Sequence, residues 1–421
     1  MPKISSLLLT TVVLSLPVLA QTSGGGGRIT PSTSSTPSAS AGGLAKYEPS
    51  GDRVYHGASL NNTGSVADMK NNAARFQQIA GKKLAVVTWF TSAFENGELT
   101  SWRNQYAPQL NAVKQIGAIS LIKFQVHDDN FQGNRAIAPL KHIAVGAYDA
   151  YFAEMADTLR DYGGPVFLSI NHEMNGTWFP FSEAYPGSGV TAADFVASWR
   201  RIVDILRRKG AHNVAFVWSP NVPDVPSVDQ GGVGFQKYYP GDAYVDWIGV
   251  SFYSGNPVEN LSVIYNTYAA KKPFFITEWA TSPEKNQYYP NFPGEGVWVQ
   301  SVMQALQQKY PRVKAISWFQ WLKADGNHLL ERVPPQRVAY NQAIQNPRYL
   351  DDPGAVVSVP APGGAPPLHV TPREIILPEV VPREEIKTET IRPEVPPQAP
   401  AQAPATAPAR APIKIQLLPR K

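Results

Sequence analysis

The chain of 421 residues contains no cysteine. This absence excludes disulfide bonds, thiolate metal sites, a cysteine nucleophile and the lipidated cysteine of a bacterial lipoprotein. Charged residues make up only 17% of the chain, and the basic residues behind its net charge of +5 are spread out. Spread charge of this kind indicates no nucleic-acid partner. A glycine-rich phosphate loop is also missing after the first predicted strand, which argues against a nucleotide-binding doubly wound sheet.

Long hydrophobic runs are scarce, and the one of note lies at the N-terminus. Lys3 precedes the mostly apolar segment Ile4–Leu19, and Val18-Leu19-Ala20 offers small residues at a cleavage site. This pattern predicts a signal peptide over residues 1–20 that is cleaved after Ala20. An uncleaved N-terminal anchor is the alternative, although the run is short for a membrane span and contains Pro17. We therefore expect a secreted or periplasmic protein with no membrane span after signal cleavage.

Both ends of the mature chain have a composition that does not support a packed core. Residues 21–45 are mainly Gly, Ser, Thr and Pro, which is typical of a flexible linker. Sixteen of the 39 prolines lie from Pro353 onward, many in Ala-Pro pairs. We predict a disordered, Pro-rich, low-complexity tail over residues 351–421, because such segments favour extended conformations. The sequence indicates no partner for this tail.

Between these ends, residues 46–350 alternate strand-like and helix-like segments. Eight such strands over about 300 residues predict an α/β fold, a (β/α)8 TIM barrel forming the catalytic domain. The predicted strands are Tyr55–Leu60, Leu84–Phe90, Ala118–Val126, Pro165–Asn171, Val214–Trp218, Trp247–Tyr253, Phe274–Glu278 and Ala315–Trp321. Helical periodicity is clearest in Val66–Ile79, Trp102–Ile116, Ala147–Tyr162, Ala192–Lys209 and Gly296–Tyr310.

Two glutamates stand where a barrel of this kind carries its active site, at the C-terminal ends of the strands. Glu173 follows the fourth predicted strand and Glu278 ends the seventh. A pair of carboxylates at one barrel mouth is what glycoside hydrolysis requires, with one acid protonated and the other ionised. Spacing along the chain leaves both the close and the wide carboxylate separation open, so it does not decide between retention and inversion. The pattern calls for no metal or cofactor, since His172-Glu173 lacks the second histidine of a zinc motif.

The stretch His172-Glu173-Met174-Asn175-Gly176, followed by Trp178-Phe179-Pro180, resembles the acid/base motif of glycoside hydrolase family 26. That family contains many endo-β-1,4-mannanases, and the resemblance extends over roughly residues 50 to 350 in strand order and motif placement. It implies a retaining barrel enzyme with Glu173 as acid/base and Glu278 as nucleophile. It also implies that His172, Trp178 and Trp321 bind substrate, and that Tyr253 donates a hydrogen bond to the nucleophile.

Other positions depart from the family pattern around the sugar. Ser169-Ile170-Asn171 replaces Arg-Pro-Phe, Ser251 replaces an aspartate, and Phe181 replaces a tryptophan. We therefore expect a β-linked polysaccharide substrate, with β-mannan first. Mixed-linkage β-glucan, β-1,3-xylan and an exported bacterial polysaccharide are the alternatives that keep the same chemistry. A non-catalytic glycan-binding barrel involved in polysaccharide assembly is the alternative from a different class.

Two further strand ends carry polar residues of lower promise. His127-Asp128-Asp129 follows the third predicted strand and is more typical of a solvated loop than of a cation or sugar site. Asn221 follows the fifth and is a weak candidate for a sugar contact.

Overall fold

The computed structural model describes residues 43–61, 65–127, 139–324 and 326–354. The predicted signal peptide, nearly all of the linker and most of the Pro-rich tail lie outside the described residues, so these assignments remain predictions. Within the described ranges, no helix combines the length and the hydrophobicity that crossing a membrane requires.

Eight parallel strands form a closed ring, which confirms the predicted (β/α)8 barrel. Each strand pairs with the next along the chain, and the last pairs with the first through the register Tyr55↔Ala315 to Leu60↔Gln320. A short strand, Tyr349–Leu350, pairs in parallel with the beginning of the first strand at Val54 and Tyr55. The barrel strands are β1 (Val54–Leu60), β2 (Val86–Ser92), β3 (Ile119–Gln125), β4 (Val166–Ile170), β5 (Val214–Trp218), β6 (Trp247–Tyr253), β7 (Phe274–Ala280) and β8 (Val313–Gln320).

Helices cover the outside of the ring. The cap of the long fifth helix explains its start: the Thr191 hydroxyl accepts from the Asp194 backbone, and the Asp194 side chain accepts from the Thr191 backbone. Gly81 and Gly117 end two helices in the left-handed conformation that glycine adopts freely. Within the described residues the helices are α1 (Val66–Ala80), α2 (Ala107–Ile116), α3 (Leu140–Ala144), α4 (Asp149–Tyr162), α5 (Ala192–Arg208), α6 (Ser262–Tyr268), α7 (Pro283–Asn286), α8 (Glu295–Gln308) and α9 (Pro334–Ile344).

The strands bury both of their faces, so the core has an outer and an inner part. The outer part lies between the strands and the helices and is the larger. The inner part fills the lower barrel with rings such as Phe167, which meets Trp247 at 5.1 Å and Phe275 at 5.6 Å between centroids. Side chains therefore pack the lower interior, and polar chemistry is confined to its upper end.

Near Thr277, strand β7 carries one residue more than the facing segments of both neighbouring strands. Val250 pairs with Ile276 but Ser251 pairs with Glu278, so Thr277 has no counterpart on β6. On the other side, Ile316 pairs with Ile276 and Trp318 pairs with Trp279. Such a bulge interrupts the alternation of side chains. Residues three positions apart on a regular strand point to opposite faces. Because of the bulge, Phe275 and Glu278 both point into the barrel.

Candidate active site

The backbone after β4 is held in an uncommon conformation at two residues. Asn171 has φ +49° and Glu173 has φ +57°, the left-handed region that non-glycine residues rarely occupy. Hydrogen bonds to β3 and to the residue that follows β5 fix this turn: Asn171 N–H donates to the Phe124 carbonyl at 2.7 Å, and Glu173 N–H donates to the Ser219 carbonyl at 2.7 Å. These hydrogen bonds thus maintain the strained backbone conformation of Glu173, and that conformation directs its side chain over the barrel.

Gly176 and Trp178 explain the second half of the motif. The Trp178 indole N–H donates to Glu173 Oε2 at 2.8 Å, which folds the ring back over the turn. A Cβ atom at position 176 would lie 2.4 Å from the Trp178 ring, so only glycine leaves room for it. Trp178 nevertheless remains 40% exposed and presents aromatic surface to solvent beside the acid.

Asn175 has a structural role between two loops of the barrel mouth. Its amide nitrogen donates to the Asn221 carbonyl at 2.8 Å and to Asp224 Oδ1 at 2.7 Å. Its amide oxygen accepts from Asn221 N–H at 2.8 Å. The Asn221 side chain donates to the Pro223 carbonyl of its own loop at 2.7 Å. These contacts hold the loop after β5 in place, and Asn221 belongs to that loop.

The surroundings of Glu173 favour its protonated form. Burial raises the pKa of this carboxyl, and the nearby Glu278 carboxylate raises it further. The Lys123 ammonium and the Trp178 indole lower it, but the raising influences prevail. Ser251 lies close by, yet its hydroxyl makes no hydrogen bond of normal geometry to any described residue. A carboxyl with a raised pKa is suited to general acid catalysis.

Glu278 has the opposite surroundings. The Tyr253 hydroxyl donates to its Oε2 at 2.5 Å, and the Lys123 ammonium forms an ion pair with its Oε1. Both Lys123 and Glu278 are buried. A hydroxyl donor together with a buried cation suits an ionised carboxylate. Two buried acids with contrasting surroundings therefore face the same mouth.

His172 lies beside Glu278 as a neutral ring. Its Nε2 is 3.8 Å from Glu278 Oε1, and its ring contacts Phe90 and Phe179 at centroid distances of 5.5 and 5.0 Å. Burial holds its pKa well below the ordinary value, and the Lys123 charge acts in the same direction. Its Nδ1 finds no hydrogen-bond partner within the described part of the chain. The histidine is therefore a polar group without charge, with one ring nitrogen left over for a ligand.

Aromatic rings form the wall on the side of β8. Trp321 stacks on Phe319 at 5.6 Å with an interplanar angle of 8°, and its indole N–H donates to Ser59 Oγ at 3.2 Å. Phe90 meets Trp321 edge-on at 5.5 Å and so joins this wall to His172. Phe319 also contacts the Tyr253 ring at 5.8 Å. Contacting rings thus lead from Trp321 to His172 and to Tyr253, the hydrogen-bond donor of Glu278.

The structure brings all six sequence-predicted side chains to the same mouth through these contacts. Lys123 was not among them, although the signal was present: a lysine inside the apolar strand Ile119–Gln125 is as conspicuous as a glutamate after β4. Of the weaker candidate at the end of β3, His127 packs against Phe179 and Phe181, while Asp128 and Asp129 lie outside the described residues. Across the described ranges, no three His, Asp or Glu side chains are grouped as a metal site would require.

Comparison with known proteins identifies the family of this chain. The model of Glycosyl hydrolase family 26 matches residues 66–330, more than half of the chain. The chain belongs to glycosyl hydrolase family 26. The family assignment made from the His-Glu-Met-Asn-Gly motif is thereby confirmed.

Curated relatives of this family 26 chain carry several names. Endoglucanase H of Acetivibrio thermocellus is 28% identical over 281 residues, which cover 64% of this chain and 28% of that protein. A Mannan endo-1,4-beta-mannosidase of Bacillus subtilis is 25% identical over 243 residues, 55% of this chain and 61% of that protein. A Beta-1,3-xylanase of Alcaligenes sp is 26% identical over 167 residues, 37% of this chain and 32% of that protein. The chain thus spans less than two thirds of the length of each of these relatives, and less than one third of two of them.

Solved structures agree on the fold. The catalytic domain of the Bacillus sp. JAMB-750 GH26 endo-beta-1,4-mannanase superposes with a TM-score of 0.54 at 19% identity, covering 73% of this chain and 90% of that one. A modular endo-beta-1,4-mannanase from Cellulomonas fimi gives a TM-score of 0.51 at 19% identity, covering 73% of this chain and 75% of that one. Identities this low support the barrel alone.

Proposed function

We propose that the protein is a secreted, retaining endo-glycoside hydrolase that cleaves a β-linked polysaccharide by double displacement. The observation that carries the proposal is the contrast between the two buried carboxyl groups at one barrel mouth. The pKa of Glu173 is raised, whereas Glu278 is paired with Lys123 and accepts from Tyr253. Two acids with opposite surroundings are the arrangement that acid-assisted attack on a glycosidic bond requires.

In the first step Glu173 donates its proton to the leaving oxygen while a Glu278 oxygen attacks the anomeric carbon. The glycosidic C–O bond breaks and a glycosyl ester forms on Glu278. In the second step a water molecule attacks the same carbon, the ester bond breaks, and Glu173 takes the proton from that water. Two inversions leave the anomeric configuration as it was in the substrate.

The remaining residues bind and orient the sugar. The neutral His172 ring offers a hydrogen-bonding nitrogen at the cleavage point without adding charge next to the nucleophile. Trp321 presents an aromatic surface in the wall that contains Phe319, and the exposed Trp178 ring presents another beside Glu173. Apolar sugar faces stack on such rings, while the edges of the sugar meet polar groups.

A non-catalytic glycan-binding barrel is a poorer account of the same site. A glycan binder gains little from two buried carboxyl groups, because burying charge is costly unless it is paired or used. The strained backbone at Glu173 adds to this cost. Both features are expected of a protein that catalyses a reaction and not of one that only binds a glycan.

For the substrate we propose β-mannan first and mixed-linkage β-glucan second. Mannan follows from the family motif. The second candidate is supported by the match to Endoglucanase H, which covers 64% of this chain, while the match to the Bacillus subtilis mannosidase covers 55%. Ser251 also supports it, because this small side chain stands beside Glu173 where many mannanases carry an aspartate. Reducing-sugar release from galactomannan, glucomannan, mixed-linkage glucan and β-1,3-xylan decides between them.

The roles of the two acids are tested by azide rescue of alanine variants on an activated aryl β-glycoside. Glu173→Ala should yield the β-glycosyl azide, because the glycosyl ester on Glu278 still forms and azide then attacks it. Glu278→Ala should yield the α-glycosyl azide, because azide now replaces the nucleophile directly. Glu278→Gln should stay folded by circular dichroism and lose turnover of the polysaccharide. Full activity in that variant would refute the assignment.

Export is proposed from the N-terminal sequence, with residues 1–20 as signal peptide and residues 21–45 and 351–421 as flanking low-complexity segments. N-terminal sequencing of the protein recovered from the medium or periplasm should begin at Gln21. A protein that keeps Met1 and stays with the membrane fraction would favour the uncleaved anchor.

A further inference from the structure

Lys123 reaches Glu278 from the opposite side of the barrel. It lies on β3 and Glu278 lies on β7, four strands away in a ring of eight. Leu121, two residues earlier, belongs to the inner core, and the flanking Ile122 and Phe124 belong to the outer core. The Lys123 side chain therefore points inward and spans the interior, with its ammonium 6.0 Å from the centre of the Phe90 ring.

This ion pair is shielded from water to a degree that surface pairs are not. The exposed fraction of the side chain is 0% for Lys123 and 5% for Glu278. A buried charge that loses its partner is strongly unfavourable. The ammonium thus needs a counter-ion at every stage in which it stays charged, and Glu278 supplies it in the resting protein.

The proposed reaction removes that counter-ion. When the sugar is bound to Glu278, the carboxylate has become a neutral ester, and the repulsion between Glu278 and Glu173 is gone. At this moment Glu173 has given its proton away and is negatively charged. It lies within electrostatic reach of both Lys123 and Glu278.

Resting on the proposed function, we propose that Lys123 is a positioning residue that acts as a shared counter-ion. It pairs with Glu278 in the free enzyme and stabilises ionised Glu173 once Glu278 carries the sugar. The bonds made and broken are those of the two displacement steps, and neither step requires a proton transfer to or from Lys123. Its effect is to hold Glu173 ready as the base for the second step.

Other charges near the acids do not substitute for Lys123. His172 is neutral because of its burial. His127 and Lys323 act on His172 but are not among the groups that act on Glu173, which are Glu278, Lys123, Ser251 and Trp178. Within the described residues Lys123 is therefore the cation that acts on both carboxyl groups.

The direct test follows the titration of Glu173 by carboxyl ¹³C NMR, with its signal assigned by comparison with Glu173→Gln. Glu278→Gln reproduces the neutral ester and leaves Lys123 in place. Lys123→Met/Glu278→Gln removes the cation as well, so the difference between the two variants isolates Lys123. We expect Glu173 to titrate at a pH lower by about one unit or more in the single variant than in the double variant. Equal titration in the two would overturn the inference.

A kinetic test uses Lys123→Met and the charge-conserving Lys123→Arg. Neutralising position 123 should move both limbs of the pH profile of kcat/KM to higher pH by about one unit. The acid limb moves because Glu278 loses its counter-ion, and the alkaline limb moves because Glu173 loses an attracting charge. Lys123→Arg should keep both limbs in place even if its rate falls. A merely structural lysine would instead lower the rate equally at every pH, which would overturn the inference.

The inference can still be tested if Lys123→Met does not fold or if the wild-type protein shows no activity. If Lys123→Met does not fold, Lys123→Gln keeps a hydrogen-bond donor without charge and is judged by the same criteria. If the wild-type protein cleaves no glycan, the proposed function fails, whereas the NMR comparison still decides the counter-ion role because it needs no turnover.

Discussion

Replacement of Trp178 by phenylalanine keeps an aromatic ring beside the acid but removes the N–H that donates to Glu173 at 2.8 Å. This donor favours the ionised form, so its loss should raise the pKa of Glu173 further. A hydrogen bond to a charged group contributes ~1.5–3 kcal/mol, and one pKa unit corresponds to ~1.4 kcal/mol. The upper limit is therefore ~1–2 units. Because Trp178 is 40% exposed, water replaces part of the lost bond, and we expect ~0.5–1 unit.

The measurement is kcat/KM against pH on an unactivated oligosaccharide, where the leaving oxygen needs its proton. Glu173 must be protonated in the free enzyme, so a higher pKa moves the alkaline limb of the profile to higher pH. Tyr253→Phe is the matched control: it removes a donor from Glu278 and should leave the alkaline limb where it is. An alkaline limb that stays in place or moves to lower pH in Trp178→Phe would refute the reasoning.

Three further predictions concern the same turn and wall. Gly176→Ala places a Cβ atom 2.4 Å from the Trp178 ring, so it should displace the indole and reproduce the pH shift of Trp178→Phe. Glu173→Gln should unfold at higher urea concentration than the wild type at pH 8 but not at pH 4. The raised pKa in the folded state means that the wild type loses stability as pH rises from the unfolded value through the folded one, by ~1.4 kcal/mol per unit. Trp321→Ala should raise KM about three- to tenfold with a smaller change in kcat, because ring stacking binds ground state and transition state alike.

The barrel was largely predictable because it depends on periodic patterns. Each of the eight predicted strands overlaps a strand of the ring, for example Leu84–Phe90 with Val86–Ser92. The pairing of Glu173 with Glu278 followed from a topological rule that places strand ends at one mouth. Short helices such as α3 and α7 were not predicted, since four or five residues carry too little periodicity to detect.

What the sequence could not supply is the way in which the two acids are aimed. On β7, regular alternation from Phe275 would turn Thr277 inward and Glu278 outward. The extra residue reverses this for Glu278, and Thr277 is held by hydrogen bonds to Ser219 and to the Val250 carbonyl. The residue types of the segment Phe275–Trp279 do not indicate that bulge.

Glu173 is aimed by an irregularity of another kind, a left-handed backbone that depends on hydrogen bonds to β3 and to the residue that follows β5. Both acids therefore depend on contacts between strands that are distant in sequence, which no local pattern encodes. Lys123 belongs to the same class, because its importance comes from a partner 155 positions away across the barrel. Sequence periodicity predicts the regular strands and helices, whereas both acids lie where the regular backbone is interrupted. This is the expected outcome where strain and buried charge are tolerated for the sake of a reaction and not for stability.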